Sequence, residues 1–343
     1  MNILFDIGHP AHVHLFKNFI SYLKKGNHDI TVTSRNKDVT TDLLDNYGIK
    51  HFILSTPGIG FLGFFNELLI RNKQLFLLNR KKKFSLSFGT SVSIAHLTAL
   101  TGIESFNFHE DDDSVVPVQS LLIYPFTSKI INPDCIKILG WRKKRVFYPS
   151  YHELAYLHPN NYTPNPEIPE LYGLIKKNYI IIRLSSLSAH HDRNKKGISF
   201  NLYNKIKEVI KNYTLVDSVE SSKSHSIKPR HLHDIINYAK MIISDSQTMT
   251  AEAAVLGIPS VRYNSFVGRI SYLEELEHKY KLTYGFRPGN DDKMIDKINE
   301  LLNRNNLNEE WQKRRLIMLS DKVDFNEWMI KYFKTLLHHL AIV

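Results

Sequence analysis

The chain holds one cysteine, Cys135, in 343 residues. That excludes an internal disulfide framework and a zinc site built on cysteines. Long apolar runs are missing too: no stretch reaches the roughly 18 consecutive apolar residues of a membrane-spanning helix. The N-terminal "MNILFDIGHPAHVHLF" lacks the basic, apolar and small-residue order of a secretory signal, because Asp6 and His9 interrupt it. Short-period repeats and low-complexity tracts are absent, as is an Asp-x-Asp metal motif outside "EDDD" (110–113). These absences lead to the expectation of a cytoplasmic protein.

What the chain has in excess is positive charge. Lys and Arg number 45 against 34 Asp and Glu, a net charge of +11. The excess is spread over both halves and forms no basic tail. Such a protein can meet nucleic acid, anionic lipid or phosphorylated substrates. The cations are dispersed and lack the interleaved aromatics of a base-stacking surface, so nucleic acid is not the expected partner. With 43% hydrophobic and 23% charged residues the composition is globular, and the length suits two domains.

Short apolar runs alternate with amphipathic stretches. "NILFDI" (2–7), "DITVT" (29–33), "HFIL" (51–54), "FSLSF" (84–88), "SFNF" (105–108) and "SKIIN" (128–132) have the form of buried strands. Helical patterns such as "VHLFKNFISYLKK" lie between them. This alternation predicts a parallel sheet covered by helices on both faces. It breaks at 156–173, where four prolines accumulate, as in a linker or an excursion between domains. It restarts with "YIIIRL" (179–184), "YTLVD" (213–217), "KMIIS" (240–244), "PSVRY" (259–263) and "LTYGF" (282–286). The expected fold class is therefore α/β, with two doubly wound Rossmann-like domains facing a cleft. The first spans 1–160 and the second 174–322. A terminal helix over 323–343 returns to the first domain.

In such sheets, ligands sit at strand carboxyl ends, where loops lead into helix N-termini. "IISDSQTMTAEAAVLGIPSV" (242–261) has this form, with Ser244, Ser246, Gln247 and Thr248 at the turn. Ser or Asp can cap the helix, and its open amides and dipole favour an anion such as a diphosphate. Glu252, about one turn further on, could accept hydrogen bonds from ribose hydroxyls. An ordinary capped helix with a solvated Glu fits the spacing equally well. Arg183, near a strand end, could clamp a phosphate bidentately or be a plain solvated arginine.

The segment "SDSQTMTAEAAVLGIPSV" resembles the nucleotide-binding segment of GT-B-fold glycosyltransferases and of UDP-N-acetylglucosamine 2-epimerases. Over nearly its whole length the chain also resembles an uncharacterised bacterial and archaeal family of that superfamily, through "PAHVHLF" (10–16) and "TMTAEAAVLGIP" (248–259). The resemblance implies a diphosphate held by the small-residue turn and a ribose held by Glu252. It implies a nucleotide-sugar donor, UDP-linked by analogy, used without a bound metal or other cofactor. Ser246 and Gln247 stand where relatives have glycines, which would crowd the phosphates and alter donor affinity or identity.

The acceptor half offers two motifs. "GHPAHVH" (8–14) opens the first helix; His12 and His14 lie two apart and cannot share a helix face, so one is expected to pack inward, while at least one of His9, His12 and His14 could line the cleft. A role in proton transfer is open to a histidine in the cleft, and capping or core packing to any of them. "FNFHEDDDS" (106–114) is either a solvated acidic turn or the source of a general base at Glu110. Glu110 lies where the 2-epimerases carry a Glu, but Thr90 stands where they carry an Asp, which weighs against epimerisation. His190, His191 and Asp192 are further donor-contact candidates, and His231 and His233 could touch a base or phosphate or simply cap a helix.

Residues 58–84 mix Phe and Leu with Arg71, Lys73, Arg80, Lys81, Lys82 and Lys83. That mixture suits an anionic bilayer surface, or a core helix followed by a basic loop. The leading expectation is a nucleotide-sugar-dependent glycosyltransferase of cell-surface polysaccharide or glycolipid assembly. It would act on a glycan or lipid-linked acceptor and could dock at the inner face of the cell membrane. A UDP-sugar 2-epimerase or hydrolase is the first alternative. A non-catalytic basic protein binding membrane or nucleic acid is the second.

Overall fold

A computed structural model describes residues 1–184, 197–217 and 227–342. The chain divides into two compact units, Met1–Asn161 with Val323–Val343, and Tyr162–Lys322. The first unit has seven strands: β1 Asn2–Ile7, β2 Asp29–Arg35, β3 Phe52–Ser55, β4 Leu86–Gly89, β5 Glu104–Phe108, β6 Lys129–Pro133 and β7 Arg145–Tyr148. All pair in parallel, in the order β3-β2-β1-β4-β5-β6-β7. Six of them coincide with the apolar runs. The seventh, "RVFY", is not among those runs and directly follows the cations Arg142, Lys143 and Lys144. Burial of Arg145 against Asp113 and Asn132 makes it a strand.

Helices cover both faces of this sheet, as the continuous apolar strands require. On one face Phe5, Phe88, Phe106 and Phe108 meet Phe16 and Phe19 from the Pro10–Lys25 helix. Phe333 of the terminal Phe325–Ile342 helix enters the same cluster, 4.7 Å from the Phe88 ring and 4.8 Å from Phe106. Each buried Phe contributes about 1.5–3 kcal/mol, which fixes the end of the chain on the first unit. On the other face Leu4 packs with Leu75, Ile94 and Leu97, from the Gly60–Lys82 and Val92–Thr101 helices.

Among its described residues the second unit has five parallel strands: β8 Tyr179–Arg183, β9 Thr214–Asp217, β10 Met241–Ser244, β11 Ser260–Tyr263 and β12 Thr283–Phe286. Their order is β12-β11-β10-β8-β9. The proline-rich stretch after Asn161 belongs to this unit, because Tyr162 Oη and the Asn165 amide both donate to Asp234 Oδ1, at 2.7 and 2.8 Å. The Gln247–Val255 helix is packed by Ala251, Ala253 and Ala254, all fully buried. It ends at Gly257, whose φ of +70° and contact with Gln312 leave no room for a side chain.

In each sheet the strand order reverses at a switch point, beside β1 in the first unit and beside β8 in the second. Ligands of doubly wound sheets bind outside the carboxyl ends of such strands. At the first switch point Gly89 brings β4 so close to β1 that a Cβ would lie 2.6 Å from the Asp6 carbonyl oxygen. Among the described residues, no helix is long and apolar enough to cross a membrane.

Candidate functional site

At the carboxyl edge of the first sheet lies a cavity of about 560 Å³. The turns after β1, β2, β4 and β5 supply most of its polar wall. His9 caps the Pro10–Lys25 helix, its Nδ1 accepting from the Ala11 amide at 3.2 Å. One turn in, His12 meets Thr90 Oγ1 through Nδ1 at 2.9 Å. Burial, then the neighbouring His9, His152 and His109, hold the His12 pKa well below its ordinary value, so this imidazole is neutral. His14 points elsewhere. It stacks on Tyr156 at 5.2 Å, contacts Tyr47 and takes no part in the cavity wall, as the two-residue spacing requires.

The acidic run after β5 splits by role. Asp112 Oδ1 accepts from the Lys137 amide at 2.6 Å. Asp113 Oδ2 accepts from the Leu139 amide at 2.7 Å and from Arg145 at 2.6 Å. Both are buried and hold the following loop. Glu110 and Asp111 line the cavity instead. Burial, followed by the charges of Glu110 and Asp112, pushes the Asp111 carboxyl up to about 7, which poises it near neutrality. His109, just before them, is driven down to about 3 by burial and by His152.

Sequence reasoning missed three parts of this site. His152, from a short 3-10 turn at His152–Ala155, enters the cavity with Nδ1 at 3.1 Å from Glu110 Oε2. Asp6, at the end of β1, accepts two hydrogen bonds from Arg71 at 2.6 and 2.7 Å and one from Thr33 Oγ1 at 2.7 Å. Glu67 accepts from Arg35 Nε and Nη2, both at 2.6 Å, and from Ser55 Oγ. Arg71 is thus a buried partner of Asp6, where the sequence suggests one more surface cation. The i, i+4 spacing of Glu67 and Arg71, which places both on one helix face, was the available signal.

The Gly60–Lys82 helix that carries Glu67 and Arg71 inward turns apolar side chains outward. Ile59, Phe61 and Leu62 are 96, 80 and 81% exposed, and Phe65, Leu69 and Leu77 are exposed beside Lys73, Arg80 and Lys81. Phe64 and Leu68 of the same helix, with Val118 and Leu122 opposite, form the apolar wall of the cavity. The core-helix reading of residues 58–84 therefore holds only for the inner face.

In the second unit the predicted donor residues gather at the end of β10. Ser244 Oγ donates to the Arg183 carbonyl at 2.8 Å and accepts from the Ser246 amide at 2.9 Å. Ser246 is the N-cap, its Oγ accepting from the Met249 amide at 3.4 Å. Gln247 and Thr248 form the first turn, whose amides have no intrahelical acceptor. Glu252 is buried, with Oε1 at 3.0 Å from His233 Nε2, so it is not the solvated carboxylate that spacing alone allows. Arg183 is half-buried at the strand end. His231 contacts Tyr172 Oη at 2.9 Å. His190, His191 and Asp192 lie outside the described residues.

No protein-family model and no curated sequence matches the chain. Solved structures do. S. aureus MnaA, in a co-structure with UDP, has a TM-score of 0.69 at 13% identity, over 98% of this chain and 97% of that one. The UDP-GlcNAc 2-epimerase from Methanocaldococcus jannaschii has a TM-score of 0.63 at 14% identity, over 92 and 99%. Spinosyn forosaminyltransferase SpnP has 0.64 at 12% identity, over 98 and 99%. The chain has the fold of these enzymes along its full length: two α/β units with parallel sheets, as in glycosyltransferases of the GT-B type and UDP-GlcNAc 2-epimerases.

Proposed function

We propose that this protein is a metal-independent, nucleotide-sugar-dependent glycosyltransferase whose acceptor occupies the cavity of the first unit. The observation that carries the reading is the two-sided character of that cavity. Its polar wall, where imidazoles and carboxylates stand beside Arg35, Lys37 and Arg71, suits a hydroxyl about to lose a proton. Its apolar wall of Phe64, Leu68, Val118 and Leu122 suits the non-sugar part of a lipid-linked acceptor. In the second unit, the capped turn at Ser244–Thr248 and the N-terminus of the Gln247–Val255 helix would take the donor diphosphate. Arg183 would add charge there. Glu252 would reach a ribose hydroxyl only by sharing or leaving His233.

The outward apolar and basic face of the Gly60–Lys82 helix continues from the apolar wall and would rest on an anionic bilayer. This fits assembly of a cell-surface glycolipid or polysaccharide at the inner face of the membrane. Sugar-nucleotide 2-epimerisation is the second reading. The position of Glu110 on the cavity wall favours it; Thr90, bonded to His12 where a carboxylate would be needed, opposes it.

The test is a panel of UDP-, GDP-, CDP- and TDP-sugars incubated with the protein and a membrane-lipid extract. Sugar transfer to lipid with release of the nucleoside diphosphate is the expected result. Conversion of a UDP-sugar to its 2-epimer would establish the second reading. No turnover of any donor would contradict both.

A further inference from the structure

A transferred sugar needs an acceptor oxygen stripped of its proton, and the histidine singled out by sequence is poorly suited to take it. His12 Nδ1 is occupied by Thr90, and burial among other imidazoles keeps its basicity far below that of an ordinary histidine. Burial likewise drives His109 down to about 3.

His152 is placed differently. Its ring lines the cavity, it is 7% exposed, and its Nε2 is a buried atom with no hydrogen-bond partner. Its Nδ1 faces Glu110 Oε2 at 3.1 Å, a contact not aligned as a hydrogen bond, and that oxygen has no hydrogen-bond partner. A small rotation of either group would align the pair, as happens when catalytic contacts tighten around a substrate. The ring lies nearly parallel to the stacked pair of Phe325 and Tyr148, at 10° and 5.8 Å from the first and 15° and 6.2 Å from the second.

An imidazole that presents its Nδ1 proton to a carboxylate keeps the lone pair on Nε2. A lone pair buried without a partner is costly, and a hydroxyl entering the cavity would satisfy it. We infer that His152, held by Glu110, is the base that accepts the proton of the acceptor hydroxyl.

The inference deepens the transferase reading and rests on it. In the step, the acceptor oxygen forms a bond to the anomeric carbon while the bond from that carbon to the diphosphate oxygen breaks. The bonding pair leaves with the nucleoside diphosphate, and the acceptor proton passes to His152 Nε2. The imidazolium so formed is offset by Glu110, which acts as a positioning residue.

Two measurements test this. Long-range proton–nitrogen spectra of the full-length protein with labelled histidine, assigned by comparison with His152→Gln, read the tautomer directly. The wild type should carry the proton on Nδ1, and Glu110→Gln should weaken that preference. An Nε2–H tautomer in the wild type would overturn the pair whatever the substrate is.

The second measurement is nucleoside diphosphate release from the panel of nucleotide sugars, with water as the surrogate acceptor. His152→Gln should lower turnover about 10²-fold while donor affinity stays within about twofold, and Glu110→Gln should lower it about tenfold. Unchanged turnover in His152→Gln would overturn the role of base. If the wild type turns over no nucleotide sugar, the donor reading fails, and the tautomer still decides the pair. Should His152→Gln not fold, Glu110→Gln supplies both the assignment and the turnover comparison.

Discussion

At the switch point of the first sheet buried imidazole atoms are left unpaired, whereas at the switch point of the second the described polar side chains are tied to one another. His109 and His152 each bury an Nε2 without a partner, and Asp111 is pushed up toward neutrality. At the equivalent edge of the second unit, Ser244 is satisfied by Arg183 and Ser246, Ser246 caps its own helix, and Glu252 is held by His233. Both edges lie at a switch point of a doubly wound sheet, so topology alone does not separate them. The side chains do. Unpaired and pKa-shifted groups are what proton transfer requires. A satisfied turn that offers backbone amides is what binding a fixed anion requires. The difference fits a division of labour in which chemistry belongs to the first unit and donor binding to the second.

The largest expected effect would break this comparison outright. His152→Gln should lower turnover by about 10²-fold and Glu110→Gln by about tenfold, with donor affinity nearly unchanged. Steady-state kinetics beside donor titrations would check it. Full activity in both variants would move the chemistry out of the first unit.

Next in size is membrane contact, which should belong to the first unit. Arg80→Gln with Lys81→Gln should weaken co-sedimentation with anionic vesicles by roughly 2 kcal/mol, at about 1 kcal/mol per cation near the surface. Binding should fall with salt. Vesicle binding that ignores both salt and these charges would leave only the apolar residues as the contact.

A third prediction sharpens the account of the second unit. Glu252→Ala should destabilise the protein by about 1–3 kcal/mol in urea melts, because His233 Nε2 loses its buried partner. It should also weaken nucleoside diphosphate binding. A loss of stability with unchanged binding would make Glu252 purely structural.

The smallest effect concerns pH. The Asp111 carboxyl titrates at about 7 in the folded chain against 3.8 ordinarily, so the folded state binds the proton more tightly. Its contribution to stability is present at low pH and is lost as pH rises through that window. Asp111→Asn should therefore stabilise the protein by on the order of 1 kcal/mol above pH 7, after allowing for partial solvent access. The gain should vanish toward pH 4. Melting temperatures measured across this range would check the sign.

Much of the fold was legible because buried parallel strands are continuous apolar runs, and β1 and β8 could hardly be anything else. β7 was hidden because its first residue, Arg145, is a cation whose burial depends on Asp113, 32 positions away. His12 and Glu110 were legible because they follow strand ends, where doubly wound sheets place ligands. His152 was not. It sits in a 3-10 turn after the last strand of the first unit, and only the packing of Phe325 and Tyr148 brings it back to Glu110. Arg71 was misplaced for a similar reason: its sequence neighbours are surface-facing, but its partner is Asp6 on another element.

The most direct test of the account is calorimetric titration of the full-length protein with UDP, GDP, CDP and TDP. The account predicts that one of them binds at a single site and that Glu252→Ala weakens the binding, while His152→Gln leaves it within about twofold. No binding of any nucleoside diphosphate at concentrations of about 1 mM would contradict the donor site and, with it, the assignment of a nucleotide-sugar enzyme.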